Sequence, residues 1–176
     1  MNHRLLYSMA LIVCLSSATA WNLPTARADD SNGFSINADN TALISLGMVY
    51  FDVFDDSEAA EFHAEYRSGI QFFFRPFGGA MATSDGSVYG YGGVLTDFQF
   101  GSHFILTPSI AGGLYFHGDG KDLGHVVEIR SAIEAAYRFD NHSRLGLLFY
   151  HISNAGLDDD NAGTEVLGFN YSFPVN

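Results

Sequence analysis

The sequence predicts an all-β chain, an eight-stranded antiparallel up-and-down β-barrel of the outer-membrane type. Three observations predict it. Apolar and polar residues alternate with period two over stretches of roughly ten residues, which suits a tilted membrane strand better than the five or six residues of a typical soluble one. About eight such stretches follow one another, and an even count lets the sheet close so that no edge is left unpaired in lipid. The chain also opens on an export leader, yet after it there is no apolar run of the ~20 residues that a spanning helix needs.

The leader comes first. Arg4 gives a short positive region, an apolar run extends from Leu5 to about Ala20, and small residues recur at Ala18-Thr19-Ala20 and Ala26-Arg27-Ala28. Cleavage after Ala28 is preferred because Asp29-Asp30 begins a polar segment. Residues 1–28 are therefore expected to be a secretory signal peptide and 29–176 the barrel domain, with 29–41 a polar lead. The single cysteine, Cys14, lies inside the leader, so the mature chain has no disulfide and no cysteine-based metal site. The formal net charge of the whole chain is −12, and removal of Arg4 and Arg27 makes it more acidic still. Such a chain is a poor partner for nucleic acid or for an anionic surface held by bulk charge.

Strands are predicted over 42–54, 59–75, 77–84, 87–100, 103–116, 126–139, 143–153 and 164–174. In the second, Phe62, Ala64, Tyr66 and Ile70 alternate with Glu61, His63, Glu65, Arg67 and Gln71. In the sixth, Ile129, Ser131, Ile133, Ala135 and Tyr137 alternate with Glu128, Arg130, Glu134 and Arg138. Pro76-Phe77-Gly78, Gly101-Ser102 and Asp140-Asn141-His142 read as tight turns, whereas 117–125 and 154–163 are longer polar loops. Short turns at one end and longer loops at the other fit an outer-membrane barrel. The apolar sets then face lipid. His63, Glu65, Arg67, Gln71, Glu128, Arg130, Glu134 and Arg138 fill an interior just wide enough for side chains, as a mutually neutralising polar core.

Three residues break this pattern. The seventh strand presents Leu145, Leu147, Phe149, His151 and Ser153 on one side, and the eighth presents Glu165, Leu167, Phe169, Tyr171 and Phe173. Parity thus puts an imidazole, a hydroxyl and a carboxylate on the lipid-facing wall, where polar groups are functional candidates. A serine is a weak nucleophile that needs an adjacent base, and the base needs an orienting group. Asn154, Ala155 and Gly156 follow the serine directly and carry N–H groups suited to an oxyanion. The residues alone leave this open against loop-edge polarity.

The run His151-Ile152-Ser153-Asn154-Ala155-Gly156-Leu157, with Glu165 twelve residues after Ser153, resembles the C-terminal motif of the lipid A 3-O-deacylase (PagL) family. The resemblance implies an eight-stranded barrel of the bacterial cell outer membrane with a Ser-His-Glu triad on its outer wall. Ser153 matches the nucleophile, His151 the base, Glu165 the orienting acid, and Asn154 and Gly156 the oxyanion region. It further implies a hydrolase acting on lipid A or lipopolysaccharide among outer-membrane lipids, with the acyl chain beside Leu147, Phe149, Leu167 and Phe169, and no cofactor. Ile152 stands where an aromatic residue is common, and the chain ends Phe173-Pro174-Val175-Asn176 without a terminal aromatic. The rival readings are a non-enzymatic small barrel and a phospholipase or acyltransferase using another outer-membrane lipid. A homodimer is left open. His117, Asp119, Asp122 and His125 match no specific metal-ligand spacing and read as a solvated loop, as does Asp158-Asp159-Asp160.

Overall fold

Buried charged residues and outward apolar ones alternate along the long strands, and this alternation decides which face of the sheet closes inward. The computed structural model of the protein describes residues 33–54, 58–70 and 72–175. The leader, 1–28, lies outside the described residues, as does Gln71. Every regular element described is a strand: β1 (Phe34–Ile36), β2 (Ala42–Phe51), β3 (Ala59–Arg67), β4 (Arg75–Thr83), β5 (Val88–Leu95), β6 (Phe98–Phe100), β7 (Phe104–Phe116), β8 (Val127–Arg138), β9 (Arg144–Ser153) and β10 (Thr164–Val175). All pairings are antiparallel, and contact between β7 and β8 closes the ring. Both β5 and β6 pair with β7, so together they form one wall position, and the wall has eight.

Four differences from the expected segments have physical causes. The expected strand 87–100 is interrupted at Thr96 and Asp97. Pro108 lies across from them and has no N–H to donate, and Asp97 turns inward. The expected strand 59–75 stops at Arg67, and Pro76-Phe77-Gly78 is not a turn but part of β4. Pro76 is tolerated there because it is second in its strand, at the rim. The seven-residue connection 68–74 replaces the tight turn because Arg75 faces inward and donates to the Ser68 carbonyl (2.6 Å) and to those of Asp39 and Thr41. The polar lead also holds a short strand, β1, which pairs with β6 and turns Phe34 and Ile36 outward.

Strand β3 shows the two faces plainly. Glu61, His63, Glu65 and Arg67 are buried, while Phe62 and Tyr66 are exposed to the surroundings of the barrel. Most of the interior charges are paired, as burial favours; Glu128 is the exception, its two carboxyl oxygens buried without a hydrogen-bond partner among the described residues. Arg67 lies 3.1 Å from Glu65 and 2.8 Å from Glu134. Arg130 lies 3.2 Å from Glu65, with its guanidinium over the rings of Tyr150 (4.2 Å) and Tyr91 (5.0 Å). Tyr91 donates to Glu65, and Tyr150 to Glu61. Nearer the end that carries Ala42 and Val175, Asp97 receives Arg75 (2.8 Å), Arg144 (2.9 Å) and the Thr107 hydroxyl. Packing here is close. A Cβ added at Gly47 would fall 2.1 Å from the His63 ring, so only glycine fits opposite that imidazole. Arg138 is less enclosed than the other interior arginines and reaches Asp39 and Gln99 at the rim.

Candidate active site

Strands β9 and β10 run side by side with His151 directly across from Glu165, Phe149 from Leu167 and Leu147 from Phe169. All six face outward, because the odd positions of both strands do. His151 Nδ1 and Glu165 Oε1 are 3.0 Å apart, with side chains 40% and 31% exposed, so the pair sits on the outer wall and not in the lumen. Below it, Phe149, Leu167, Leu147 and Phe169 form an exposed apolar strip two strands wide. With Nδ1 engaged by the carboxylate, the ring nitrogen left to exchange a proton is Nε2. The ring edge is packed by Gly163, where an added Cβ would stand 3.0 Å from Cε1 and 3.6 Å from Nε2. Gly163 has φ +62°, a conformation that favours glycine, so backbone and imidazole both require its missing side chain.

Ser153 is two residues beyond His151 on the same face, at about 6.6 Å between Cα atoms. The structure brings His151 and Glu165 together but forms no hydrogen bond between Ser153 and His151 among the described residues. Such contacts are often loose without substrate and tighten in the reacting complex.

The loop after Ser153 is built by Asn154, which is fully buried. Its side-chain N–H groups donate to the Asp160 carbonyl (2.6 Å) and the Leu123 carbonyl (3.5 Å), and its Oδ1 accepts from the Gly156 N–H (2.9 Å). Its backbone N–H donates to Asn161 Oδ1 (3.1 Å). The Asn154 and Gly156 donors named from the sequence are therefore committed to holding the turn. The Ala155 N–H, at a residue with φ +54°, is the uncommitted one between them. Asn161 was not singled out from the sequence; its carboxamide is fixed through Oδ1, which leaves its NH₂ group available.

The approach of β10 is anchored from inside. Strand alternation would put Asp52 on the lipid face beside Glu165, but φ +58° turns its side chain into the barrel, where it is fully buried. There its Oδ1 accepts from the Thr164 hydroxyl (2.9 Å) and pairs with Lys121 (2.7 Å), while the Val53 N–H donates to the Glu165 carbonyl. Lys121 thus ties the 117–126 loop to the base of the site. Across β9 on the other side, β8 places Ser131 level with His151 and Ile129 level with Ser153. Ser131 faces outward, and the sequence reading did not set it apart from its apolar neighbours.

A carboxylate holding an imidazole beside a serine on one face is the arrangement of acyl-transfer hydrolases. Comparison with known proteins gives the family and the fold. A sequence model of the lipid A 3-O-deacylase (PagL) family matches residues 25–174. No curated protein matches the chain. Among solved structures, the crystal structure of the outer membrane enzyme PagL superposes with a TM-score of 0.63 at 16% identity, covering 76% of this chain and 99% of that one. A de novo designed transmembrane β-barrel superposes with a TM-score of 0.54 at 10% identity, covering 77% and 96%. At these identities the likeness is one of fold, and the family match carries the assignment. The chain, an eight-stranded barrel of the outer membrane, belongs to the lipid A 3-O-deacylase (PagL) family of hydrolases.

Proposed function

We propose that the chain hydrolyses the 3-O-linked acyl ester of lipid A by a Ser-His-Glu mechanism on its lipid-facing wall. The observation that carries the proposal is the 3.0 Å His151–Glu165 contact directly above an exposed apolar strip. A triad in the lumen would meet no lipid; one on the outer wall meets an acyl chain lying in the leaflet. His151 Nε2 accepts the Ser153 hydroxyl proton as Oγ attacks the ester carbonyl. Glu165 holds the ring through Nδ1 and stabilises the imidazolium that forms. The turn Asn154–Gly156 serves the oxyanion, with Asn154 and Gly156 shaping it and the uncommitted Ala155 N–H as its donor. His151 then returns the proton to the sugar hydroxyl as it leaves. Water, deprotonated by the same nitrogen, releases the fatty acid and restores Ser153. The chain being cleaved lies beside Leu147, Phe149, Leu167 and Phe169. The site is at the end of the barrel with the longer loops 117–126 and 154–163, which supports an outer-leaflet substrate.

The test is mass spectrometry of lipid A from cells making the wild-type chain or Ser153→Ala. Loss of one acyl group and release of free fatty acid only with Ser153 present is the expected result. Deacylation by a folded Ser153→Ala protein would remove Ser153 from the mechanism, and transfer of the acyl group to another lipid would replace hydrolysis by acyl transfer.

A further inference from the structure

On the outward face of β8 the row runs Val127, Ile129, Ser131, Ile133, Ala135, Tyr137; apart from Tyr137 at the far end of the strand, Ser131 carries the one hydroxyl. It is exposed on the wall and makes no hydrogen bond among the described residues. A hydroxyl facing apolar surroundings is unfavourable unless something satisfies it. Its position is not arbitrary. Along the seam between β8 and β9 the facing pairs are Ile129 with Ser153, Ser131 with His151, Ile133 with Phe149 and Ala135 with Leu147. The seam is therefore apolar below the site except at one step, the step immediately below the nucleophile.

His151 does not supply the partner. Its Nδ1 is turned to Glu165 on β10, and its Cε1–Nε2 edge lies against Gly163, so Ser131 stands on the opposite flank of the ring. Glu165 lies beyond the imidazole and is out of reach. The substrate is what remains, and its chemistry offers a match. The primary acyl chains of lipid A carry a hydroxyl on their third carbon, about 2.5 Å along the chain from the carbonyl carbon. Successive outward residues on a strand are about 6.6 Å apart. The C–O bond adds about 1.4 Å and a hydrogen bond about 2.8 Å, so a chain held by its carbonyl at Ser153 and descending the seam places its 3-hydroxyl within hydrogen-bond reach of the level of Ser131.

We infer that Ser131 is a specificity-determining residue whose hydroxyl pairs with the 3-hydroxyl of the acyl chain being released. This rests on the deacylase reading above and deepens it. A site built to hydrogen-bond a substrate hydroxyl discriminates against the analogue that lacks it, because its own polar group is then left unpaired.

The experiment compares two glucosamine 3-O-esters, 3-hydroxymyristoyl and myristoyl, hydrolysed by the purified chain in detergent micelles. The readout is the ratio of their kcat/KM values. The wild-type ratio is expected to favour the hydroxylated ester roughly tenfold, the worth of one hydrogen bond to substrate. Ser131→Ala should bring the ratio near one, and Ser131→Thr, which keeps the hydroxyl, should keep the preference. A ratio unchanged by Ser131→Ala, a wild type without preference, or both rates falling by the same factor would overturn the assignment. Ser153→Ala separates the two levels. If the wild type cleaves either ester and Ser153→Ala cleaves neither, the deacylase reading stands whatever Ser131 does. If the wild type cleaves neither, that reading fails and the role of Ser131 falls with it.

Discussion

Replacing Arg130 by methionine should destabilise the barrel and leave its surface chemistry in place. The guanidinium is 2% exposed, lies 3.2 Å from Glu65 and is sandwiched by Tyr150 and Tyr91. Removing one partner of a buried ion pair costs about 3–5 kcal/mol, chiefly through the charge left behind. Two features lower that figure here. Glu65 keeps Arg67 at 3.1 Å and the Tyr91 hydroxyl at 2.9 Å, so its carboxylate is not stranded. Arg130 itself is incompletely satisfied, with Nε and Nη2 lacking good hydrogen bonds. Two cation–π contacts, each about 0.5–2 kcal/mol, are lost as well. Methionine retains most of the volume, so no large cavity opens. The net expectation is a loss of about 2–3 kcal/mol. Urea unfolding of the micelle-bound barrel, followed by circular dichroism, would report it as a lowered midpoint at constant slope. Hydrolysis per folded molecule should persist, because Arg130 faces inward while its neighbour Ser131 faces the site. Unchanged stability would mean that the interior charges do not hold the barrel together. Lost activity at full stability would place the lumen in the catalytic machinery and refute the division of the two faces.

Gly163→Ala should reduce kcat about tenfold or more in a folded protein, since the new methyl meets His151 Cε1 at 3.0 Å and the φ of +62° is strained for alanine; kinetics beside a circular dichroism spectrum would check it. Glu165→Gln keeps the shape but removes the charge that stabilises imidazolium, and should lower kcat on the order of a hundredfold with little change in KM, less than for a fully buried acid because both groups are partly exposed. Burial alone would raise the pKa of Asp39, but hydrogen bonds from Thr41 and His142 and the charge of Arg144 outweigh it and hold the carboxyl at about 2. A lowered pKa in the fold means stability that is fully present above the unfolded value near 3.8 and lost as pH falls through about 2, worth roughly 2 kcal/mol. Unfolding midpoints of wild type and Asp39→Asn should therefore converge between pH 4 and 2, and parallel curves would show that Asp39 is not the group responsible.

How much of this was legible depended on whether a feature obeys the two-residue repeat. Strands β3, β8, β9 and β10 obey it throughout, so their inward and outward sets could be read directly, and with them the common face of His151, Ser153 and Glu165. What escaped were the places where the backbone leaves the repeat. Asp52 has lipid-facing parity but is turned inward by a positive φ, and nothing local in the sequence announces that. The end of β3 depends on Arg75 gathering three carbonyls from two separate segments, a tertiary demand that alternation does not register. Asn154 looked like an oxyanion donor because it follows the serine. That it bonds Asp160 and Leu123 instead depends on how two outer loops meet. Ser131 obeyed the repeat and was still passed over, since its meaning lies in the β8–β9 register and not in its own strand.

The same repeat explains how one short wall can carry two incompatible environments. Inward residues need neutralising partners, because an unpaired charge in the lumen has no solvent to repay its burial. Outward residues need the reverse, and each polar group there is unfavourable until a partner is found. In the interior most charges meet another, as Arg67 meets Glu65 and Glu134, with Glu128 the exception. On the outside, His151 and Glu165 satisfy one another, whereas the hydroxyls of Ser153 and Ser131 have no hydrogen-bond partner among the described residues. Two unsatisfied hydroxyls on an apolar wall, flanking one imidazole, are hard to explain by stability. They are accounted for if a lipid supplies both partners, its carbonyl at Ser153 and its 3-hydroxyl at Ser131. It follows that removing both hydroxyls should leave the barrel as stable as before or slightly more so, the opposite of what Arg130→Met does from the neighbouring position one residue away.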